Sequence, residues 1–307
     1  MKPRRRIQTA LPLALCGLVA AAASVAMAAG SGAGTSAVSL SSLPLGDGKV
    51  TTSGPRRGYV YACRTGFAPP GAGGAFAEGP WIHGETFDLT AKATVDGSVR
   101  WRNARFKQRK TSSRRVLSGN DLPTKGTTGE FPIEASDDAY RYDRNPNSIY
   151  AQRVRYSLPR HPRRAARAGC LSGGPIGIAR NGVSIFDALD AGDRDAVAHE
   201  VQDSCGGHPQ QSGVYHYHSI PTCLTAGESR KRASGLVGWA LDGYPIYGPR
   251  GHGGKLLTND DLDACHGQVS RVWFEGRWQR IYHYNATLEY PYTLGCYRGA
   301  PGSGPRG

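Results

Sequence analysis

The sequence lacks the short motifs that most quickly assign an enzyme. It contains no Cys-x-x-Cys, which argues against a thioredoxin-like redox pair and a zinc ribbon. It also has no Gly-x-Ser-x-Gly elbow, Walker loop or dinucleotide-binding glycine pattern, so the common hydrolase and nucleotide-binding signatures are absent. Acidic residues are few, 24 Asp and Glu against 38 Lys and Arg, for a formal net charge of +14. A basic surface can meet nucleic acid, anionic lipid headgroups or acidic glycans. Much of the charge sits in RWRNARFKQRKTSSRR (Arg100 to Arg115) and RHPRRAARAG (Arg160 to Gly169). Neither run has the aromatic interleaving of a single-strand nucleic-acid groove. Helix signals are scarce too, and beyond the N-terminus no apolar run approaches the about 18 residues of a membrane span.

The N-terminus reads as an export signal. Lys2, Arg4, Arg5 and Arg6 precede the apolar run LPLALCGLVAAAASVAMA, and Ala26-Met27-Ala28 is a small-x-small cleavage site. Residues 1–28 are therefore expected to be a signal peptide, directing the protein to the periplasm or the extracellular space, by a general or a twin-arginine route. Loss of its four cations would leave a net charge of +10. A Gly/Ser/Ala-rich stretch follows, and residues 29–55 are expected to form a flexible linker.

With Cys16 in the signal, six cysteines remain: Cys63, Cys170, Cys205, Cys223, Cys265 and Cys296. An even number in an exported chain predicts three disulfides, with fifteen pairings open.

With 42 glycines and 20 prolines the chain is turn-rich, and its patterns are those of strands. Alternation around Asp96-Gly97 predicts a β-hairpin, Gly119 to Tyr150 reads as an irregular loop, and QRVRYSLP as a strand. The C-terminal half repeats itself. GIARNGVSIF (Gly177 to Phe186) matches GWALDGYPIY (Gly238 to Tyr247), each a short strand, an Asn-Gly or Asp-Gly turn and a second strand. Downstream, Cys205, His208, Tyr215-His216-Tyr217-His218 and Cys223 are followed in the same order by Cys265, His266, Tyr282-His283-Tyr284-Asn285 and Cys296. Two copies are too few for an open solenoid, so one pseudo-symmetric domain is expected. Each copy has a cysteine before its YHYx strand and one after it, making Cys205–Cys223 and Cys265–Cys296 the economical pairs, with Cys63–Cys170 left over. The best helix candidate is Asp193 to Gln202, capped by Asp190 or Asp193. The expected fold is mainly β with short helices: a disulfide-stapled single domain over residues 56–299, with an internally duplicated C-terminal half. The repeats fall at about 175–224 and 236–297, and a disordered tail is expected over 300–307.

Residues two apart in a strand point to one face, so His216 and His218 project together, as HxH strands do when they present two imidazoles to a metal. His208 is the nearest third ligand, and three histidines would make the shell of a catalytic zinc site with one open position. His266 and His283 could converge on the same centre across the pseudo-twofold. Asn285 stands where a fourth strand histidine would be, which argues against two equal sites. Zinc or copper suits such ligands. Glu200 and Asp203 flank the first cluster, Asp261 and Asp263 the second; one could orient an imidazole or act on a metal-bound water, although surface or capping roles suffice. His199 reads as structural, His83, His161 and His252 as solvated loop residues, and Asp242 as a turn residue.

The tetrapeptide Tyr215 to His218, with NPNSIY (Asn145 to Tyr150), DSCGGHP (Asp203 to Pro209), GWALDGYPIYGP, DACHG (Asp263 to Gly267) and YHYNATLEYPYTLGCYRG, resembles the YHYH-domain proteins over roughly residues 80 to 299. The resemblance implies export and a domain boundary, and assigns no reaction. Three functions therefore stand as expectations: a protein that holds zinc or copper, a metal-dependent hydrolase built on His208, His216 and His218, or a non-catalytic module binding an anionic glycan or envelope surface through Arg160 to Arg167.

Overall fold

The computed structural model describes residues 38–66 and 75–305. The expected signal peptide, residues 29–37 of the expected linker and the last two residues of the expected tail lie outside the described residues.

The duplicated half builds one eight-stranded sheet. Its first copy supplies β1 (Pro175–Ala179), β2 (Ser184–Phe186), β3 (Gly207–Pro209) and β4 (Tyr215–Tyr217). The second supplies β5 (Leu236–Ala240), β6 (Pro245–Tyr247), β7 (Gly267–Phe274) and β8 (Arg277–Asn285). The strand order β3-β4-β2-β1-β5-β6-β8-β7 reads as the same half-sheet from either end. In each copy an antiparallel hairpin turns on a positive-φ glycine, Gly182 (φ 93) or Gly243 (φ 85), as an Asn-Gly or Asp-Gly turn requires. The second hairpin strand then pairs in parallel with the YHYx strand: Ser184 with His216, and Ile246 with Tyr284.

The halves meet where β1 and β5 pair antiparallel, Gly177 opposite Ala240, Ile178 opposite Trp239 and Ala179 opposite Gly238. Both glycines are needed for this approach. A Cβ on Gly177 would lie 2.7 Å from the Trp239 carbonyl oxygen, and one on Gly238 would lie 2.4 Å from that of Ile178.

Both faces of the sheet's central strands are covered. Ile178 and Trp239 pack with Leu117, Tyr156 and Leu158 from a three-stranded sheet formed by Phe106–Lys110, Arg114–Gly119 and Val154–Pro159. Ile176, Ile185, Ile246, Tyr217 and Tyr284 belong to the larger core that the N-terminal segments complete. The disulfides are Cys63–Cys170, Cys205–Cys223 and Cys265–Cys296, the economical set.

Four local expectations are corrected. Asp96-Gly97 turns the chain, but its arms do not pair with each other: Val95 bridges Asp203 and Val99 bridges Thr128. The partners are distant in sequence, so alternation alone suggested a hairpin. The helix α1 is only Ala196–His199, and its cap is Asp195, whose carboxylate accepts from the Val197 and Ala198 N–H groups. Asp190 instead binds Arg194, 2.7 Å away, and Glu200 ends the helix in an extended conformation. Residues 38–55 of the expected linker are packed: Leu43–Pro44 pairs with Thr86–Phe87, Leu43 is buried, and the Gly46 N–H donates to Asp195. Leu43 and Leu45 of the apolar LPL in that segment are buried in the core. The expected tail is tied down at Ser303, which exchanges backbone hydrogen bonds with Ser157.

Asp121, in a left-handed backbone conformation (φ 60), accepts from the Ser184 N–H and hydroxyl under the sheet. Burial pushes its carboxyl up to about 7. An acid raised on folding stabilises the fold below its unfolded pKa, near 3.8, and that contribution disappears as pH rises through about 7. Asp121→Asn should therefore lose less stability than wild type between about pH 4 and about pH 7 in urea melts. Parallel pH profiles would show that Asp121 is not the titrating group.

A histidine-lined candidate metal centre

His208 lies on β3 and His216 on β4, and the register of this antiparallel pair sets them directly opposite each other. His218 follows two residues later on the same face. Tyr215 and Tyr217 take the other face into the core; the Tyr215 hydroxyl donates to Asp203, 2.7 Å away. Asp203 also accepts from the Cys205 and Gly207 N–H groups, shaping the turn that leads into β3. It is thus a scaffold residue and orients no imidazole. The Cys205–Cys223 bond closes the segment around both strands.

One ligand atom from each of His208, His216 and His218 falls within 4.8 Å of the others, the only such three-residue group among the described residues. His216 Nδ1 lies 3.1 Å from the Val214 carbonyl oxygen, and His218 Nδ1 contacts that of Asp187. A carbonyl only accepts, so both Nδ1 atoms carry the proton and both Nε2 atoms keep a lone pair. Yet the two Nε2 atoms face each other at 3.0 Å. Two lone pairs at that distance repel unless a cation lies between them. Phe186 stacks on His216 at 4.0 Å between ring centroids and holds its plane.

A carboxylate stands beside the three imidazoles. Glu200 Oε2 is 3.5 Å from both His208 Nε2 and His218 Nε2. Within the described protein neither Glu200 Oε2 nor His208 Nε2 has a hydrogen-bond partner, although both are buried. Glu200 is presented by the end of α1 and held on both sides. Lys92 Nζ donates to its carbonyl oxygen (2.8 Å) and to Gln202 (2.9 Å), and the Val201 N–H donates to Asp143. Edges of 3.0 and 3.5 Å bracket the about 3.3 Å expected between ligands of a tetrahedral ion with bonds of about 2.0–2.1 Å.

All four side chains are at most 8% exposed as residues. Burial holds His208 and His216 well below the ordinary imidazole range and His218 at about 4, and it pushes Glu200 well above the ordinary carboxylate range, with Asp190 and Asp143 adding to the effect. Neutral imidazoles are the ligand form, and a bound cation would reverse the penalty on the carboxylate.

His266 and His283 do not join this centre. His266 (φ 69) occupies the turn position that Gly206 (φ 84) holds in the first copy, and its Nε2 meets the Thr287 hydroxyl at 2.9 Å. His283, the counterpart of His216, sits opposite Gln268 and meets the Ser270 hydroxyl at 2.7 Å. Gln268 and Asn285 stand where His208 and His218 stand in the first copy, and Gln268 Nε2 donates to Asn285 Oδ1 at 3.0 Å. An amide pair thus closes the second half where the first has histidines. His199 is structural, 2.8 Å from Asp47. His83, His161 and His252 are exposed.

Glu200 was legible only as one acid flanking the cluster. Its signal is a carboxylate beside His199 in the largely apolar stretch AVAHEV, where an acid without a partner in sequence needs one in space.

Residues 155–256 match the model of a family described as YHYH protein, a span that includes Glu200, His208, His216 and His218. No curated protein and no solved structure matches the chain.

Proposed function

We propose that this chain, whose residues 155–256 match the model of the YHYH family, holds a divalent zinc or copper ion between His208, His216, His218 and Glu200. The observation that carries this reading is the pair of facing, deprotonated Nε2 atoms of His216 and His218, 3.0 Å apart beside the unpartnered carboxylate oxygen of Glu200. Three imidazoles and one carboxylate suit a borderline ion. With the carboxylate as fourth ligand and all four side chains buried, the shell is closed, which favours holding the ion over turning over a substrate at it. The work is then retention or structural bracing in an oxidising compartment, the setting in which three disulfides persist.

The test is elemental analysis of protein exported to such a compartment and purified without a metal-affinity tag, followed by chelator competition. Near-stoichiometric zinc or copper is expected. Glu200→Gln keeps a donor oxygen but loses the charge, and should weaken retention by about 10–100-fold, the scale seen when a metal site's supporting groups are lost. Failure to take up either metal on reconstitution would overturn the proposal, as would unaltered retention in Glu200→Gln.

A further inference from the structure

The hairpin of β7 and β8 forms one edge of the sheet, and toward its tip it has an outer face that the core does not use. Its register places Trp273 opposite Trp278, Arg271 opposite Arg280 and Val269 opposite Tyr282. Tyr282, at the inner end of the row, is half-buried against the core and donates to Asp263, and on β7 the row alternates with Val272 and Phe274, which are buried against Leu117, Tyr156 and Leu158. The outer face is strongly solvent-facing for its chemistry: Trp273 is 54%, Trp278 59% and Val269 49% exposed. The two indoles meet edge to face with centroids 5.8 Å apart, and the Arg271 guanidinium lies 6.0 Å from the Trp278 ring.

The indole pair lies directly behind the hairpin tip. Glu275 (φ 54) and Gly276 (φ 81) form the two-residue turn, whose paired positive φ values favour a tight, twisted end. The acid at that tip is already neutralised. Glu275 binds Lys110 at 3.0 Å, Arg160 at 3.3 Å and Arg115. The tip thus carries more cation than anion, and Lys107, Arg109 and Arg114 on the neighbouring hairpin are exposed as well.

We infer that this face docks the protein on an anionic phospholipid surface. Indoles settle at the headgroup level of a bilayer because one edge is apolar and the other a hydrogen-bond donor. Arginines bind the phosphates in the same plane. The exposed aliphatic Val269, on the far side of the arginines from the indoles, gains from an apolar boundary and would gain little from a hydrated sugar or a nucleobase. The inference is independent of the metal centre, and its phosphate-binding arginines, Arg271 and Arg280, lie on a different ribbon than Arg160 to Arg167.

The experiment is co-sedimentation of the full chain, as exported, with vesicles of phosphatidylcholine alone and of phosphatidylcholine mixed with phosphatidylglycerol. Binding is expected only to the anionic vesicles, weakening as salt is raised. Arg271→Gln with Arg280→Gln should lower the partition coefficient about thirtyfold, and Trp273→Ala with Trp278→Ala should lower it at least about tenfold. All four side chains are on the outer face, so an unchanged thermal transition checks that both variants fold. No binding by the wild type would overturn the inference. Wild-type binding retained in both variants would do the same, because the basic charge elsewhere would then suffice. Retention on an immobilised polyuronate through these same residues, with no vesicle binding, would reassign the face to acidic glycans.

Discussion

The double variant His216→Ala, His218→Ala should lose bound metal entirely, with affinity reduced by well over the about hundredfold that follows loss of a supporting group alone. Two of four donors go, and those that remain, His208 and Glu200, come from separate elements. The variant also leaves space under Phe186 and a buried carboxylate without its neighbours, so loss of fold must be distinguished from loss of metal. The second half of the molecule offers a gentler variant. There Gln268 and Asn285 fill the equivalent positions and satisfy each other at 3.0 Å, while Asn285 Nδ2 donates to the Gly248 carbonyl oxygen. His208→Gln with His218→Asn copies that solution. It should fold, retain the Cys205–Cys223 bond and bind no metal. Metal content equal to wild type in this folded variant would remove the centre from the protein's function.

The converse substitution, Gln268→His with Asn285→His, should raise the stoichiometry from one ion to two. His283 is already in place opposite position 268, and the turn before β7 is built as in the first copy, with Asp263 accepting from the Cys265 and Gly267 N–H groups. The new centre would lack a carboxylate. Asp260 stands as far before Asp263 as Glu200 stands before Asp203, but its side chain is 96% exposed and lies 3.9 Å from Arg57. The second ion should therefore bind about 10–100-fold more weakly than the first, matching the expected deficit of Glu200→Gln. Two-step chelator titration reads both numbers at once, and a stoichiometry that stays at one would mean that imidazole count alone does not make the site.

Much of this architecture was legible in the sequence because its signals are local. An Asn-Gly or Asp-Gly turn between two short apolar runs names a hairpin wherever it occurs, and its recurrence with a YHYx strand named the duplication. The strand period of two put His216 and His218 on one face without any knowledge of the sheet. What escaped was set by contacts between segments far apart in the chain. Glu200 stands beside the histidines where Lys92, more than one hundred residues earlier, grips its carbonyl oxygen. The arms of Asp96-Gly97 alternate like a hairpin and pair instead with Asp203 and Thr128. His266 looked like a counterpart of His208 by order along the chain, but the register makes Gln268 that counterpart. The outer face of β7 and β8 was hidden for another reason: nothing in a single strand shows that its tryptophan will stand opposite another.

The seam between β1 and β5 has a further consequence. Gly177 meets Ala240, Ala179 meets Gly238, and Ile178 meets Trp239 at the centre, the reciprocal pattern of an isologous interface between two protomers. Here both protomers are written in one chain. In a true homodimer every substitution appears twice, so a ligand lost from one subunit is lost from both. A tandem copy removes that constraint, and each half can be edited alone. One half can keep three imidazoles around a carboxylate while the other trades two of them for a self-contained amide pair, and the sheet that joins them still sees two halves of the same shape.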